Sequence, residues 1–356
     1  MPQFRTPSQR SLHRILDFPP RSPGVSEDMT SPVPRSRTLS WLAALLTTIA
    51  CVAAPGQARA NDQVGIPVYA YYYIWFNATS WNRAKSDLPL LGNYSSDERS
   101  IMEKHVEDAQ AAGLDGFLVS WKHTPLLDSR LALLADVARS HNFGLGIVYQ
   151  GLDFYRRPLP ATRVSDDMAW LAKNYGRDEV FARSGGALVI WSGTWEFTHN
   201  QIEQVSRRVR DRVTLLATQR SASEYEPVAG LVDGNAYYWG SLDPVTDQFA
   251  QNRLDDLGEA VHVKGGLWLP SAAPGFDATL VGGKRVVARR GGQTLRDEWR
   301  LAIDSSADAV GIISWNEFSE NSHVEPSRKY GNASLSVLAA ILSATLPESI
   351  LSLIHI

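Results

Sequence analysis

Two carboxylates three residues apart, Glu317 and Glu320, stand in the stretch Ser314-Trp315-Asn316-Glu317-Phe318-Ser319-Glu320-Asn321-Ser322-His323-Val324-Glu325-Pro326, directly after the apolar run Ala309-Val310-Gly311-Ile312-Ile313. Cleaving a glycosidic bond takes one group to protonate the leaving oxygen and another to act as base or nucleophile, and paired acids among Trp, Asn and His side chains supply those parts. The apolar run reads as a buried strand, which places the pair just beyond its C-terminal end. On one helical turn, residues three apart have Cβ atoms about 5–6 Å apart and face the same way. On a strand the same odd spacing sends them to opposite faces. The chain after Trp315 is therefore expected to turn, so that both acids address one linkage. The spacing is close to the about 5–5.5 Å between carboxyls of retaining enzymes and below the about 6.5–9.5 Å of inverting ones, but long Glu side chains leave both outcomes open.

Other acids compete for the role. Glu196, in Trp191-Ser192-Gly193-Thr194-Trp195-Glu196, follows another apolar run and is the alternative acid/base, with Glu320 then in support; Asp153 is placed similarly. Asp233 and Asp243 read as turn residues. His123 and His323 lack a histidine at i+4 or a ligand cluster, so no metal is expected, and no cofactor motif is present. The absence of a G-x-S-x-G elbow removes the α/β-hydrolase reading.

The elements that must position these acids alternate along the chain. Strands are expected at 68–76, 115–121, 144–150, 187–191, 213–218, 231–239, 266–270 and 309–315. Helices are expected at 98–112, capped by Asp97, and at 128–141, 165–175, 199–210, 254–261, 293–305 and 335–344. That order is a (β/α)8 TIM barrel, an α/β fold. A doubly wound sheet would show a glycine-rich phosphate turn after the first strand, and Ile74-Trp75-Phe76-Asn77 is nothing like one. A barrel collects its chemistry at the C-terminal strand ends. Tyr73, Trp75, Trp121, Tyr149, Gln150, Trp191, Tyr238, Trp268, Asn316 and His323 all fall at or just past such ends. Aromatic faces stack on sugar C–H faces, and Asn, Gln and His fix hydroxyls, so these ten are the expected substrate-binding residues.

Residues 1–60 are expected to lie outside the folded product. Arg35 and Arg37 precede an apolar run over 39–54, and Ala58-Arg59-Ala60 offers small residues where a signal peptidase cuts, with Met29 as the expected true start. The single cysteine, Cys51, lies within that run. The barrel is expected over 61–346, and the apolar tail 347–356 is expected to be non-native and to project from it. The first 60 residues hold seven arginines and three acids, so the chain's 35 basic and 38 acidic residues become 28 and 35 beyond residue 60, a formal charge of −7. An anionic surface without lysine or arginine clusters argues against nucleic acid or an anionic membrane as partner, and no membrane span is expected in the mature form. The product is expected to be secreted or periplasmic.

Several of these segments resemble one family. Trp315-Asn316-Glu317-Phe318-Ser319-Glu320 with Val324-Glu325-Pro326, Tyr71-Tyr72-Tyr73-Ile74-Trp75, Asn93-Tyr94-Ser95-Ser96-Asp97, and 112–121 are similar to the signature and first two strands of glycoside hydrolase family 99 and its relatives, the endo-α-mannosidase-like barrels. The resemblance covers about 68–326. It implies a glycan hydrolase in which Glu317 is the base toward the substrate 2-hydroxyl, forming an anhydro-sugar, and Glu320 the acid/base at the glycosidic oxygen, with retention. The pattern has aromatic-His-Glu-Gly where this chain has Phe318-Ser319-Glu320-Asn321, which alters the turn presenting Glu320. Fungal-type α-1,3-glucanases share a related strand end, and other relatives are linked to surface polysaccharide, so the sugar stays open. A non-catalytic carbohydrate-binding barrel, or an assembly factor for exported polysaccharide, is the second expectation.

Overall fold

A computed structural model describes residues 65–181 and 186–351. The expected signal segment, Met29 and Cys51 lie outside them. The strands are β1 Val68–Tyr73, β2 Gly116–Trp121, β3 Gly144–Gln150, β4 Ala187–Ser192, β5 Val213–Ala217, β6 Gly234–Ala236, β7 Leu267–Leu269, β8 Ser271–Ala272, β9 Phe276–Asp277, β10 Val286–Val287 and β11 Val310–Ile312. The helices are α1 Arg99–Ala111, α2 Pro125–Ser140, α3 Ala161–Tyr175, α4 His199–Val209, α5 Ala222–Tyr225, α6 Ala250–Val263, α7 Gln293–Asp304, α8 Ala333–Ile341 and α9 Glu348–Leu351.

One parallel sheet runs β7-β6-β5-β4-β3-β2-β1-β11-β8. β7 and β8 are one stave interrupted at Pro270, which has no N–H to give. β7 pairs with β6 and β8 with β11, so the sheet closes on itself into an eight-stave (β/α)8 barrel. A small antiparallel hairpin, β9 with β10, follows the seventh stave.

Strand alternation divides the core in two. Tyr71, Leu118, Val148, Ile190, Leu216, Ala236, Leu269 and Ile313 fill the barrel interior. Their neighbours, among them Tyr72, Phe117, Val119, Ile147, Val189 and Leu215, pack outward with the helices. Gly311 leaves room for the interior ring of Tyr71: a Cβ there would stand 2.5 Å from Tyr71 Cε2. Two residues beyond the interior layer the inward positions turn polar, Ser120 on β2, Gln150 on β3 and Ser192 on β4. The C-terminal mouth is thus the polar end of the barrel interior.

The departures from expectation are local. β1 stops at Tyr73 because Arg130 Nη1 takes the Ile74 carbonyl and Ser96 Oγ accepts from Phe76 N–H, drawing the chain off the sheet. β11 stops at Ile312, and Ser314 N–H then bonds the Ser322 carbonyl at 2.7 Å. Asp97 does not cap α1; it grips Arg130 through both oxygens, at 2.8 and 2.6 Å. The unforeseen helix after β5 is the four-residue α5, and α2 begins earlier than expected, capped by Thr124 with Pro125 in its first turn. The start of the tail is tied down: Ile350 is buried, and Asn332 Nδ2 donates to its carbonyl at 2.9 Å. Residues 352–356 lie outside the described part. Among the described residues no helix is long and apolar enough to cross a membrane.

Candidate active site

After β11 the chain does turn, and local hydrogen bonds account for how. Glu317 N–H donates to Ser314 Oγ at 2.8 Å, Ser319 N–H donates to Glu317 Oε1 at 2.8 Å, and Ser322 N–H reaches the Glu317 carbonyl at 3.3 Å. Asn321 takes a left-handed conformation at φ 52°. Asn tolerates that region far better than most residues, which is how the turn survives without glycine. From outside, Asp277 N–H on the β9–β10 hairpin donates to the Glu320 carbonyl at 2.7 Å, and Ser86 N–H and Oγ both hold the Phe318 carbonyl.

The turn brings both carboxyls to one place. Burial, the charge of Glu320 and the opposing pull of Lys85 and Ser319 leave the Glu317 carboxyl raised to about 7. Glu320 is half-buried and is also raised, by burial first, with Arg156 pulling it down. Both acids act on Tyr73 and Tyr238, whose hydroxyls share a hydrogen bond of 2.6 Å and are pushed up chiefly by burial. Gln150 reaches Tyr238 and donates to Ser120 Oγ at 3.0 Å. Trp75 is 42% exposed and stacks on Tyr73 with centroids 4.4 Å apart, presenting an open aromatic face at the rim. Tyr73, Trp75, Gln150 and Tyr238 therefore gather with Glu317 and Glu320. Two close carboxyls that share neighbours titrate as a pair and hold one proton between them over part of the pH range. That is the state an acid–base pair needs.

Six expected binding residues are elsewhere. Trp121, Tyr149, Trp191 and Trp268 are fully buried in the layer between sheet and helices. Trp121 Nε1 donates to Asp128 at 3.0 Å, Tyr149 Oη to Asp167 at 2.9 Å and Trp268 Nε1 to Ser305 at 2.9 Å, while Trp191 packs edge-on against Phe197. A strand end has two faces, and these four occupy the outward one. Asn316 is committed to the main chain of Tyr73, accepting from its N–H at 2.9 Å and donating to its carbonyl at 3.0 Å, so it fastens β1 to the acid turn. His323 is buried, stacked on Phe318 and within 3.4 Å of Asp87, and burial lowers it to about 4, so it is neutral. Glu196 is exposed on a turn beside Arg220. Lys85 and Arg156 were not anticipated. They come from loops without periodicity, and only folding sets them beside the acids. No group of three or more His, Cys, Asp or Glu among the described residues is arranged to hold a metal.

If Trp121 serves the core, Trp121→Phe should leave KM and kcat within about twofold while lowering stability by about 1–2 kcal/mol through the lost hydrogen bond and contact area. Steady-state kinetics and thermal melts check this. A rise in KM without a stability change would return Trp121 to the cleft.

Comparison with known proteins follows the same lines. A family model described as glycosyl hydrolase family 71 matches residues 90–337. Among curated proteins none matches significantly. The family 99 endo-alpha-mannosidase of Bacteroides thetaiotaomicron superposes with a TM-score of 0.68 at 17% identity, covering 80% of this chain and 97% of that one. A structure described as a glycoside hydrolase-like protein gives 0.63 at 15% identity, covering 77% and 93%. An exo-beta-1,4-mannosidase from an Opitutaceae bacterium gives 0.51 at 10% identity, covering 78% and 59%. At these identities the likeness is one of fold.

Proposed function

Because this chain belongs to glycosyl hydrolase family 71, a family of glycosidases, we propose that it is an exported, retaining hydrolase of a polysaccharide or glycan, with Glu317 as base and Glu320 as acid/base. The observation that carries the reading is the joint placement of the two carboxyls about the Tyr73–Tyr238 hydroxyl pair, with both raised above the ordinary carboxylate range.

In the first step ionised Glu317 takes the proton of the sugar 2-hydroxyl as O2 attacks C1. Glu320 gives its proton to the departing glycosidic oxygen. In the second, Glu320 takes a proton from water as that water opens the anhydro-sugar at C1, and Glu317 returns its proton to O2. Two inversions give retention. The step starts from the state of the coupled pair in which Glu317 has released its proton and Glu320 keeps one, and a base raised to about 7 is stronger than an ordinary carboxylate, which suits removal of a weakly acidic hydroxyl proton. The Tyr73–Tyr238 pair sits where it can hydrogen-bond the same sugar, and Trp75 offers a stacking face for the next unit. The signal-like features of 29–60 support export, and the mature protein is expected to begin at Asn61.

The test is product release from α-mannan, α-glucan and β-glucan polymers and from activated aryl glycosides, with Glu320→Gln as control. Reducing ends should appear from an α-linked polymer with wild type and not with the variant, and N-terminal sequencing of exported protein should read from Asn61. Glycan binding without product on any polymer would replace the hydrolase with a binding barrel.

A further inference from the structure

A recess of about 460 Å³ is lined by Arg220, Arg253, Arg285, Tyr237, Trp239, Ser241 and Asp247. The β9–β10 hairpin ties it to the acid turn: Asp277 N–H donates to the Glu320 carbonyl at 2.7 Å and Ala278 N–H to the Arg285 carbonyl at 3.1 Å, while Tyr238, which faces the glutamates, lies between the lining residues Tyr237 and Trp239 in the chain. Gly240 then lies flat over the barrel end, where an added Cβ would stand 3.1 Å from Ile313.

The charge of the recess opposes that of the molecule. Three guanidinium groups face one carboxylate, in a chain with formal net charge −3. Arg253 is held by Asp247 at 2.9 Å and Arg220 by Glu224 at 2.6 Å. Arg285 is different: it is exposed, its hydrogen bond, at 2.9 Å, goes to the Ser241 carbonyl, and its charge reaches Asp247 only through space, since both Asp247 oxygens are held by Arg253. The wall opposite is aromatic. Trp239 is 37% exposed and meets Trp195 edge-on at 5.7 Å, and Arg220 lies over Trp195 at 5.6 Å. A ring face takes the C–H face of a sugar, and a guanidinium fork matches a carboxylate in bidentate fashion.

We propose that this recess is a subsite for a carboxylate-bearing sugar, a uronic acid unit of the glycan whose linkage is cut at Glu317 and Glu320, with Arg285 as the residue that reads the charge. The inference rests on the hydrolase reading for the identity of the cleft's occupant. It narrows the substrate from any glycan to an acidic one.

Matched oligosaccharides decide it. α-Glucan and α-mannan oligomers and their C6-oxidised, uronate-bearing forms are titrated calorimetrically into the Glu320→Gln protein, and wild-type hydrolysis of each is followed in parallel. At least one oxidised oligomer should bind roughly tenfold tighter than its neutral parent, by a margin that shrinks with salt. Adding Arg285→Ala should erase the margin and leave neutral binding unchanged, and Arg285→Lys should restore part of it. Equal affinity for oxidised and neutral forms, equal loss of both with Arg285→Ala, or no binding of any oxidised oligomer overturns the subsite. Cleavage without charge preference would end the subsite and spare the hydrolase. Charge-selective binding without cleavage would do the reverse.

Discussion

Glu317→Gln is expected to cripple hydrolysis and, above neutral pH, to make the protein more stable than the wild type. In the fold the Glu317 carboxyl is raised from 4.5 to about 7, by burial first and by Glu320 second. Below pH 4.5 the group is protonated both in the fold and in the unfolded chain, and it costs nothing. Between 4.5 and about 7 the unfolded chain has released the proton while the fold keeps it, so stability falls as pH rises. Above about 7 the whole penalty is present, about 3 kcal/mol. Glutamine carries no charge to bury, and its amide oxygen can still accept from Ser319 N–H, the bond that Oε1 now makes. At pH 8 the variant should therefore melt roughly 5–10 °C higher for a domain of this size. At pH 4 the two proteins should melt together. Activity should drop by about 10²–10⁴. Melts at the two pH values check the prediction, and a variant less stable at pH 8, or stabilised equally at both, would mean that Glu317 is not a buried acid held against its preference.

Glu320→Gln should divide substrates by their leaving groups. A poor leaving group must be protonated as it departs, so turnover of a natural polymer should fall about 10²–10⁴-fold, whereas an aryl glycoside that leaves as a stable phenolate should lose less than about tenfold in its first step. Glu317→Gln should impair both kinds, since the 2-hydroxyl must be deprotonated whatever departs. Glu196→Gln should change little, because its carboxyl is exposed on the turn after β4 and faces Arg220 rather than the acid pair. Kinetics on one activated and one natural substrate settle the assignment. If Glu320→Gln falls equally on both while Glu196→Gln shows the dependence on leaving group, the acid is Glu196.

The barrel, and the end of it at which the acid pair emerges, were legible in the chain. Eight β-rich runs, spaced by helical stretches and helix caps, leave few other ways to bury the apolar residues, and the acid pair directly after the last run had to emerge at the mouth. Three residues of separation demanded a turn, and hydrogen bonds to Ser314 Oγ and from the N–H groups of Ser319 and Ser322 supply it. Asn321, where the family pattern has Gly, takes the left-handed conformation that glycine adopts freely.

What the chain did not disclose is which side of the wall each strand-end residue faces. Trp121, Tyr149, Trp191 and Trp268 read as a sugar platform, yet each stands one position out of phase with the inward residues Ser120, Gln150, Ser192 and Leu269. The alternation of two assigns faces only once the inward phase of the strand is known, and on a strand apolar on both faces nothing local marks that phase. Nor could spacing reveal Lys85 beside Glu317 or Arg156 beside Glu320, because their loops are positioned by bonds to distant residues, such as Ser86 to Phe318. Local composition determined the elements and the end of the barrel where chemistry belongs. The electrostatic environment of the acids comes from groups far apart in the chain, and only closure of the barrel brings them together.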